Sequence, residues 1–120
     1  MLRTMCRAKI HRAMVTDADI NYIGSMTIPR GLMKQLDILP GEQCDVVNIN
    51  TGARWTTYAI AGEKDGHFVL NGAAARLGAP GDLLIIMIYA QMDDAEARRH
   101  RLKVAHMTAD NKVDRIEEAL

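Results

Sequence analysis

Hydrophobic and polar positions alternate over short stretches of this chain, and the pattern predicts a mainly β protein. Residues 5–15 alternate loosely and are expected to form a half-buried strand, because strand side chains point alternately to opposite faces. Further strands are expected at residues 44–49, 54–60, 67–70 and 83–89. The last of these is apolar throughout, which is typical of a strand buried on both faces.

Short helices are expected at three places between the strands: residues 29–37, 73–77 and 93–101. The first begins at a proline, which suits the first helical position, and the third has acids in its first turn and bases in its last. Residues 17–19 are expected to form a turn. The polar segment beyond Met107 carries only a weak helical pattern and is expected to be loosely held.

An internal repeat indicates how the strands are arranged. Residues 36–49 and 77–88 share the order leucine, Pro-Gly turn, acidic residue and apolar strand, each after a short helical segment. Two copies of one unit in a small β chain predict a pseudo-symmetric closed barrel, because closure removes exposed strand edges. Pro-Gly turns are common in unrelated proteins, so coincidence is the alternative explanation.

Length and composition favour one domain, residues 1–120, because two smaller cores would each bury too little apolar surface to be stable. The 15 basic and 15 acidic residues balance to a formal net charge of +0, so neither a nucleic acid nor a membrane is an expected partner. No apolar stretch suits a signal peptide or a membrane helix. Cys6 and Cys44 lack metal-like spacing to any histidine, so we expect reduced thiols, no metal and a cytoplasmic location.

The Gly24-Ser25 step is the candidate for unusual chemistry. A serine hydroxyl can add to the preceding carbonyl and convert the peptide into an ester. Elimination then leaves dehydroalanine, which hydrolyses to a pyruvoyl group. Cleavage of this kind needs backbone strain and a group that stabilises an oxyanion. Taken alone, a Gly-Ser step is more often an ordinary turn.

Four separated motifs favour the cleavage interpretation: KIHR at 9–12, VTDADINYIGS at 15–25, NTGARWTTYAI at 50–60 and NGAAAR at 71–76. In this order and spacing they resemble the bacterial aspartate 1-decarboxylase family, and the resemblance runs to about Met92. It implies a six-stranded double-psi β-barrel with short helices, assembled as a homotetramer. It also implies self-cleavage into a small β chain, residues 1–24, and a larger α chain, residues 25–120.

The resemblance further implies decarboxylation of L-aspartate to β-alanine and CO2 for pantothenate biosynthesis. The cofactor would be a pyruvoyl group derived from Ser25, with no metal and no pyridoxal phosphate. Tyr58 matches the family's proton donor, and Thr57 matches the residue that assists self-cleavage and contacts the substrate. Arg54 matches the clamp for the substrate carboxylate, a task that suits the planar guanidinium, and Lys9 matches a second cationic contact.

A backbone segment and three side chains complete the implied site. The segment Gly72, Ala73 and Ala74 matches a substrate-binding stretch, where small side chains let backbone N–H groups approach a ligand. The side chains match motif positions with supporting roles: His11, Tyr22 and Asn71. Each residue also has a structural explanation, such as packing for a strand tyrosine or a helix start for an alanine-rich stretch. Their joint occurrence around a Gly-Ser step favours the catalytic interpretation.

Two alternatives come from the same sequence. Residues 26–47 resemble the swapped-hairpin DNA-binding domain of AbrB-type regulators, but the balanced charge and the motifs outside that segment argue against it. The other alternative is an inactive relative that keeps the barrel and is never cleaved. Whether this chain needs a maturation factor, as some bacterial members of the family do, is left open by the sequence.

Overall fold

Eight β-strands and three short helical segments make up the structure, a computed structural model that describes all 120 residues. The strands are β1 (Leu2–Asp19), β2 (Ser25–Pro29), β3 (Gln43–Asn48), β4 (Arg54–Gly62), β5 (Phe68–Asn71), β6 (Leu83–Asp93), β7 (Leu102–Met107) and β8 (Val113–Ala119). The helical segments are α1 (Arg30–Gln35), α2 (Asp94–Arg99) and a 3-10 helix, Gly72–Arg76. The predicted mainly β class is confirmed.

Six of the strands close into a barrel. Its order is β1, β5, β2, β4, β3, β6 and back to β1, so each of the six has a neighbour on both sides. The β1–β5 and β2–β4 pairs are parallel, and the other four pairs are antiparallel. The predicted six-stranded barrel with short helices is therefore confirmed.

The barrel has an internal pseudo-twofold symmetry. Exchanging β1 with β4, β2 with β5 and β3 with β6 leaves every pairing and its direction unchanged. The two sequence repeats occupy equivalent places, with β3 in the first and β6 in the second. Gly41 and Gly81 have φ values of 87° and 96° in the two Pro-Gly turns, as the third residue of a type II turn requires. The predicted pseudo-symmetric arrangement is confirmed.

The barrel interior is filled by aliphatic side chains and one phenylalanine. Ile10, Met26, Val46, Phe68 and Ile86 come from five different strands and each has 0% of its surface exposed. Because strand side chains alternate, the residues on either side of these face away from the core. This alternation decides which functional groups share a surface.

Some helix and turn predictions were wrong in their bounds. β1 continues through residues 17–19, where a turn was expected, because Ala18 and Asp19 pair in parallel with Leu70 and Asn71 of β5. Pro29 still pairs with Gly62 in β2, so α1 begins one residue later than expected. No helix is long and apolar enough to cross a lipid bilayer.

The prediction for the C-terminal segment was also wrong. α2 ends at Arg99, and the chain then forms β7, which pairs in parallel with β1, and β8, which pairs antiparallel with β7. Asn111, in the turn between β7 and β8, is anchored through its side chain to the backbone of Met14 and Gly66 at 2.8 and 2.9 Å. The residues beyond Met107 are therefore paired strand rather than a loosely held, weakly helical tail.

Candidate active site

The Gly24-Ser25 step lies where β2 begins, beside the end of β5. Ser25 has 1% of its surface exposed and pairs with Asn71 across the β2–β5 ladder. The Asn71 Nδ2 atom donates to Ser25 Oγ at 3.0 Å and to Thr27 Oγ1 at 2.8 Å. The structure therefore holds the Ser25 hydroxyl in a buried position with a fixed hydrogen-bond donor.

Gly72 brings the end of β5 against the loop that precedes Ser25. Its φ is 66°, and a Cβ at this position would lie 2.8 Å from Gly24 Cα and 2.9 Å from the Tyr22 carbonyl oxygen. No side chain fits at such distances, so only glycine is compatible with this contact. The motif glycine is thus explained by packing against Gly24. The side chains of the loop stay outside, with Tyr22 53% and Ile23 81% exposed.

The β2–β4 pairing places Tyr58 beside Ser25. Met26 is level with Ala59 in this parallel ladder, so the preceding residues, Ser25 and Tyr58, are level with each other. Met26 and Ala59 point into the core with 0% exposure, so Ser25 and Tyr58 lie on the opposite side of their strands. Tyr58 is 40% exposed, which leaves its phenol accessible.

Arg54 shares the outer face of β4 with Tyr58, whereas Thr57 does not. Arg54 and Tyr58 are four residues apart in one strand, so they point the same way. Thr57 points to the other face, where its partner in the ladder is the buried Cys44. The structure thus separates Thr57 from the face that carries the other two predicted residues of β4.

A small cavity of about 160 Å³ lies at the Arg54 end of this face. Asp45 and Thr56 line it together with Arg54, and Thr56 Oγ1 donates to Asp45 Oδ1 at 2.6 Å. A guanidinium and a carboxylate therefore border the same space. A carboxylate ligand that binds Arg54 in this cavity would therefore lie near the carboxylate of Asp45.

Lys9 and His11 lie on the outer side of β1, which is separated from β4 by two strands in either direction around the barrel. The row through Lys9 continues to Met87, Asp45 and Thr56, and the row through His11 continues to Ile85, Val47 and Arg54. Neighbouring strands are about 4.8 Å apart, so the path along one row from β1 to β4 is roughly 14 Å, half of the way around the barrel. Within one chain, Lys9 and His11 therefore lie on the opposite side of the barrel from Arg54 and Tyr58, and their backbone is not next to Ser25.

His11 lies in cationic surroundings. Burial lowers the pKa of His11, and the charges of Lys9, His106 and Arg12 lower it further. The neutral imidazole is therefore favoured near pH 7. The predicted supporting role of His11 is compatible with a neutral ring that accepts or donates a hydrogen bond.

Two residues in this region were missed by sequence reasoning. Thr27 shares the Asn71 amide with Ser25, and Asp45 borders the cavity of Arg54. The available signal for Thr27 was its position two residues after Ser25 in one strand, which places both hydroxyls on one face. Asp45 could be identified only once β3 was paired with β4.

Two further cavities lie elsewhere on the molecule. A cavity of about 220 Å³ includes Gln43 and Tyr89 in its lining, and another of about 400 Å³ lies between α1 and the turn before β8. None of these cavities, including the one at Arg54, has Ser25 in its lining. No group of three or more His, Cys, Asp or Glu side chains is arranged to hold a metal ion.

The fold and the site define a class: a small pseudo-symmetric β-barrel with a buried serine directly after a glycine at the start of a strand. Residues 1–114 match the family described as Aspartate decarboxylase. The chain is 57% identical over 113 residues to Aspartate 1-decarboxylase from Syntrophobacter fumaroxidans, covering 93% of this chain and 91% of that protein. It is 52% identical over 114 residues to Aspartate 1-decarboxylase from Staphylococcus aureus strain JH9, covering 94% of this chain and 90% of that protein.

The chain belongs to the aspartate decarboxylase family, whose named relatives are enzymes of the lyase class. The family match extends past Met92, where the predicted resemblance ends, and includes β7. Membership supports the decarboxylase interpretation over that of an AbrB-type DNA-binding regulator.

Proposed function

We propose that this protein is made as a proenzyme, cleaves itself between Gly24 and Ser25, and then decarboxylates L-aspartate to β-alanine and CO2. The product would serve pantothenate biosynthesis. Family membership supports the reaction. The observation that carries the proposal for cleavage is the burial of Ser25 at the start of β2, with its hydroxyl held by Asn71 at 3.0 Å.

Self-cleavage needs a nucleophile, an open carbonyl and a proton acceptor. Ser25 Oγ adds to the Gly24 carbonyl carbon, and rupture of the C–N bond leaves an ester between the two residues. Loss of the Ser25 α-proton then expels the Gly24 carboxylate. Addition of water and release of ammonia leave a pyruvoyl group at position 25. The single domain of residues 1–120 thereby becomes a β chain of residues 1–24 and an α chain of residues 25–120.

Asn71 and Gly72 support this step in different ways. The Asn71 amide donates to Ser25 Oγ, so it orients a lone pair and limits rotation of the hydroxyl. Gly72 lets the backbone of residues 22–24 approach closely, which fixes the position of the Gly24 carbonyl. Thr57 faces the barrel side of β4, so any assistance it gives to cleavage comes from that side rather than from the side of Tyr58.

The pyruvoyl group supplies an electron-accepting carbonyl that takes up the electrons left when the α-carboxylate departs. Tyr58, level with Ser25 and accessible, donates the proton that replaces CO2 on the substrate carbon. Arg54 binds the side-chain carboxylate of aspartate through paired hydrogen bonds. Because β1 and β4 are opposite strands of one barrel, Lys9 adds a second positive charge from a neighbouring copy of the chain. The backbone at Gly72, Ala73 and Ala74 borders the substrate. Tyr22 has a supporting role in the site from the loop before Ser25. The proposed reaction uses no metal and no pyridoxal phosphate.

The proposal includes assembly as a homotetramer. Large apolar side chains are exposed around the cleavage site: Ile20, Tyr22, Ile23 and Tyr58. Exposed apolar surface of this kind is typical of an interface. We place the protein in the cytoplasm because both cysteines are free thiols.

Intact-mass spectrometry of the purified protein tests the cleavage. We expect two chains, residues 1–24 and 25–120, with the larger one lighter by one ammonia than a fragment that starts with serine. Ser25→Ala should remain a single chain and should not release CO2 from aspartate. A continuous wild-type chain that decarboxylates aspartate would contradict the proposal. Cleavage that occurs only after incubation with a cell extract would identify the need for a maturation factor.

A further inference from the structure

Three side chains from three strands meet on the outer side of β1, where the predicted residue Lys9 also lies. His11 of β1 is level with His106 of β7 in the parallel ladder. Their ring centroids are 5.8 Å apart and their planes are inclined by 71°, so the rings meet edge to face. His106 Nε2 lies 2.6 Å from Glu117 Oε1 on β8. A carboxylate at this distance accepts a hydrogen bond from Nε2 and selects the tautomer that carries the proton there.

His11 lies at the end of the β1–β7 ladder. The next residue, Arg12, has a φ of 68°, and the β1–β6 register shifts between His11 and Ala13. A bulge of this kind ends regular pairing and redirects the neighbouring side chains. The orientation of the His11 ring therefore depends on side-chain contacts, such as that with His106, as well as on the backbone pairing of β1 with β7.

The charged groups around the His11 ring come from three strands. Lys9 and Arg12 belong to β1, while His106 comes from β7. From β8, Arg115 lies level with His106, and Glu117 pairs with it. β6 presents the apolar side chain of Ile85 to His11. Glu117 thus brings a negative charge to a cluster that is otherwise cationic.

Packing does not account for β8. Six of its seven residues are exposed, and the strand contributes nothing to the apolar core. The apolar core therefore does not depend on the interaction of Glu117 with His106.

We propose that the β7–β8 hairpin is part of the active-site apparatus, with His106 as a positioning residue that Glu117 holds in place and that fixes the His11 ring on the face of β1 that carries Lys9. His106 and Glu117 act through His11 and do not touch the substrate. The inference rests on the proposed function, because His11 is a predicted supporting residue of the decarboxylase.

Nuclear magnetic resonance of the histidine side chains in the full-length protein, followed against pH, tests the coupling without any need for activity. In the wild type we expect His106 to carry its proton on Nε2. Glu117→Gln should weaken that preference. His106→Gln should raise the pH at which His11 titrates, because His106 is one of the groups that lower the His11 pKa.

Glu118→Gln is the matched control. Glu118 is the next residue of β8, is exposed and lies level with Lys103, and it points to the opposite face from Glu117. The same charge is lost in both variants, so a general charge effect would appear in both. We expect Glu118→Gln to leave the signals of His11 and His106 unchanged.

Kinetics of the fully cleaved enzyme complete the test. Glu117→Gln should lower kcat/KM for L-aspartate by about tenfold, the loss expected when one charge-assisted hydrogen bond that orients a functional group is removed, with an unchanged melting temperature. An unchanged His11 titration in both His106→Gln and Glu117→Gln, or an equal loss of activity in Glu118→Gln, would overturn the inference. Failure of the proposed function would show separately, as a wild-type protein that does not decarboxylate aspartate.

Discussion

Asn71 holds the hydroxyl of Ser25 across the β2–β5 ladder, with 3.0 Å between Nδ2 and Oγ. The two residues are 46 positions apart in the sequence, and the antiparallel pairing makes them direct neighbours. A buried serine without such a donor would lose its hydrogen bonds to water without replacement. The contact therefore stabilises the uncleaved chain and orients the nucleophile at the same time.

Replacing Asn71 by alanine should slow self-cleavage without preventing folding. The orienting hydrogen bond contributes on the order of 1 kcal/mol, so we expect the rate to fall by about fivefold. A time course of chain separation on denaturing gels measures the rate. Asn21→Ala is the control, because Asn21 lies in the exposed loop before the cleavage site. Equal rates in Asn71→Ala and the wild type would show that the contact plays no part in cleavage.

Gly72→Ala should disturb the cleavage loop more than its backbone angle alone would explain. The added Cβ would meet Gly24 Cα at 2.8 Å, so residues 22–24 must move. Gly52→Ala is the matched control, since Gly52 has a φ of 78° and nothing within 4 Å of the added atom. Both variants incur about 1 kcal/mol for the left-handed backbone, and only Gly72→Ala adds a clash.

The measurements for this pair are the melting temperature and the extent of cleavage. We expect Gly52→Ala to be cleaved as completely as the wild type, while Gly72→Ala melts lower than Gly52→Ala and is cleaved slowly or not at all. If the two variants behave alike, the close approach of Gly72 to Gly24 has no influence on maturation.

Tyr58→Phe should be cleaved normally and should lose turnover. Removing a positioned proton donor typically costs about 10²- to 10⁴-fold in rate, while the ring and its packing remain. Tyr89→Phe is a close control, because Tyr89 is 39% exposed against 40% for Tyr58 and also lies on a barrel strand. The measurement is the rate at which each cleaved enzyme forms β-alanine. A similar loss in both variants, or none in Tyr58→Phe, would remove Tyr58 from the proposed mechanism.

Sequence reasoning was most successful for features that adjacent residues encode. The Pro-Gly repeats at residues 40–41 and 80–81 predicted the pseudo-symmetry, because a turn and its following strand are encoded by adjacent residues. The strand Leu83–Asp93 was predicted from its apolar run, but the prediction ended at residue 89 and omitted the last four residues.

Features that depend on pairing with distant strands could not be predicted in this way. β8 is an exposed edge strand with no buried face, so it carries no alternation that a sequence could show. The neighbours of Asn71 and of His11 follow from the β2–β5 and β1–β7 ladders, which bring together residues far apart in the chain. The motif resemblance supplied the candidate site residues, and the strand pairing determined which of those candidates share a face.

The two cysteines give a direct test of which side of β3 and β4 faces the core. Cys44 is 1% exposed, and burial raises its pKa to about 12, with the charges of Asp45 and Glu42 adding to the shift. Cys6 is only partly buried, and its pKa is raised chiefly by that burial. The thiolate is the reactive form, so Cys44 should resist alkylation at about pH 8 while Cys6 reacts first.

Self-cleavage makes this measurement simple, because Cys6 would lie in the chain of residues 1–24 and Cys44 in the chain of residues 25–120. Intact-mass spectrometry after brief iodoacetamide treatment should show label on the small chain first, and denaturant should let both chains react alike. Thr57 is the ladder partner of Cys44, so a protected Cys44 also supports a Thr57 that faces the barrel. Rapid labelling of the large chain in the native protein would mean that this face of β3 is open, and the separation of Thr57 from Tyr58 would then be wrong.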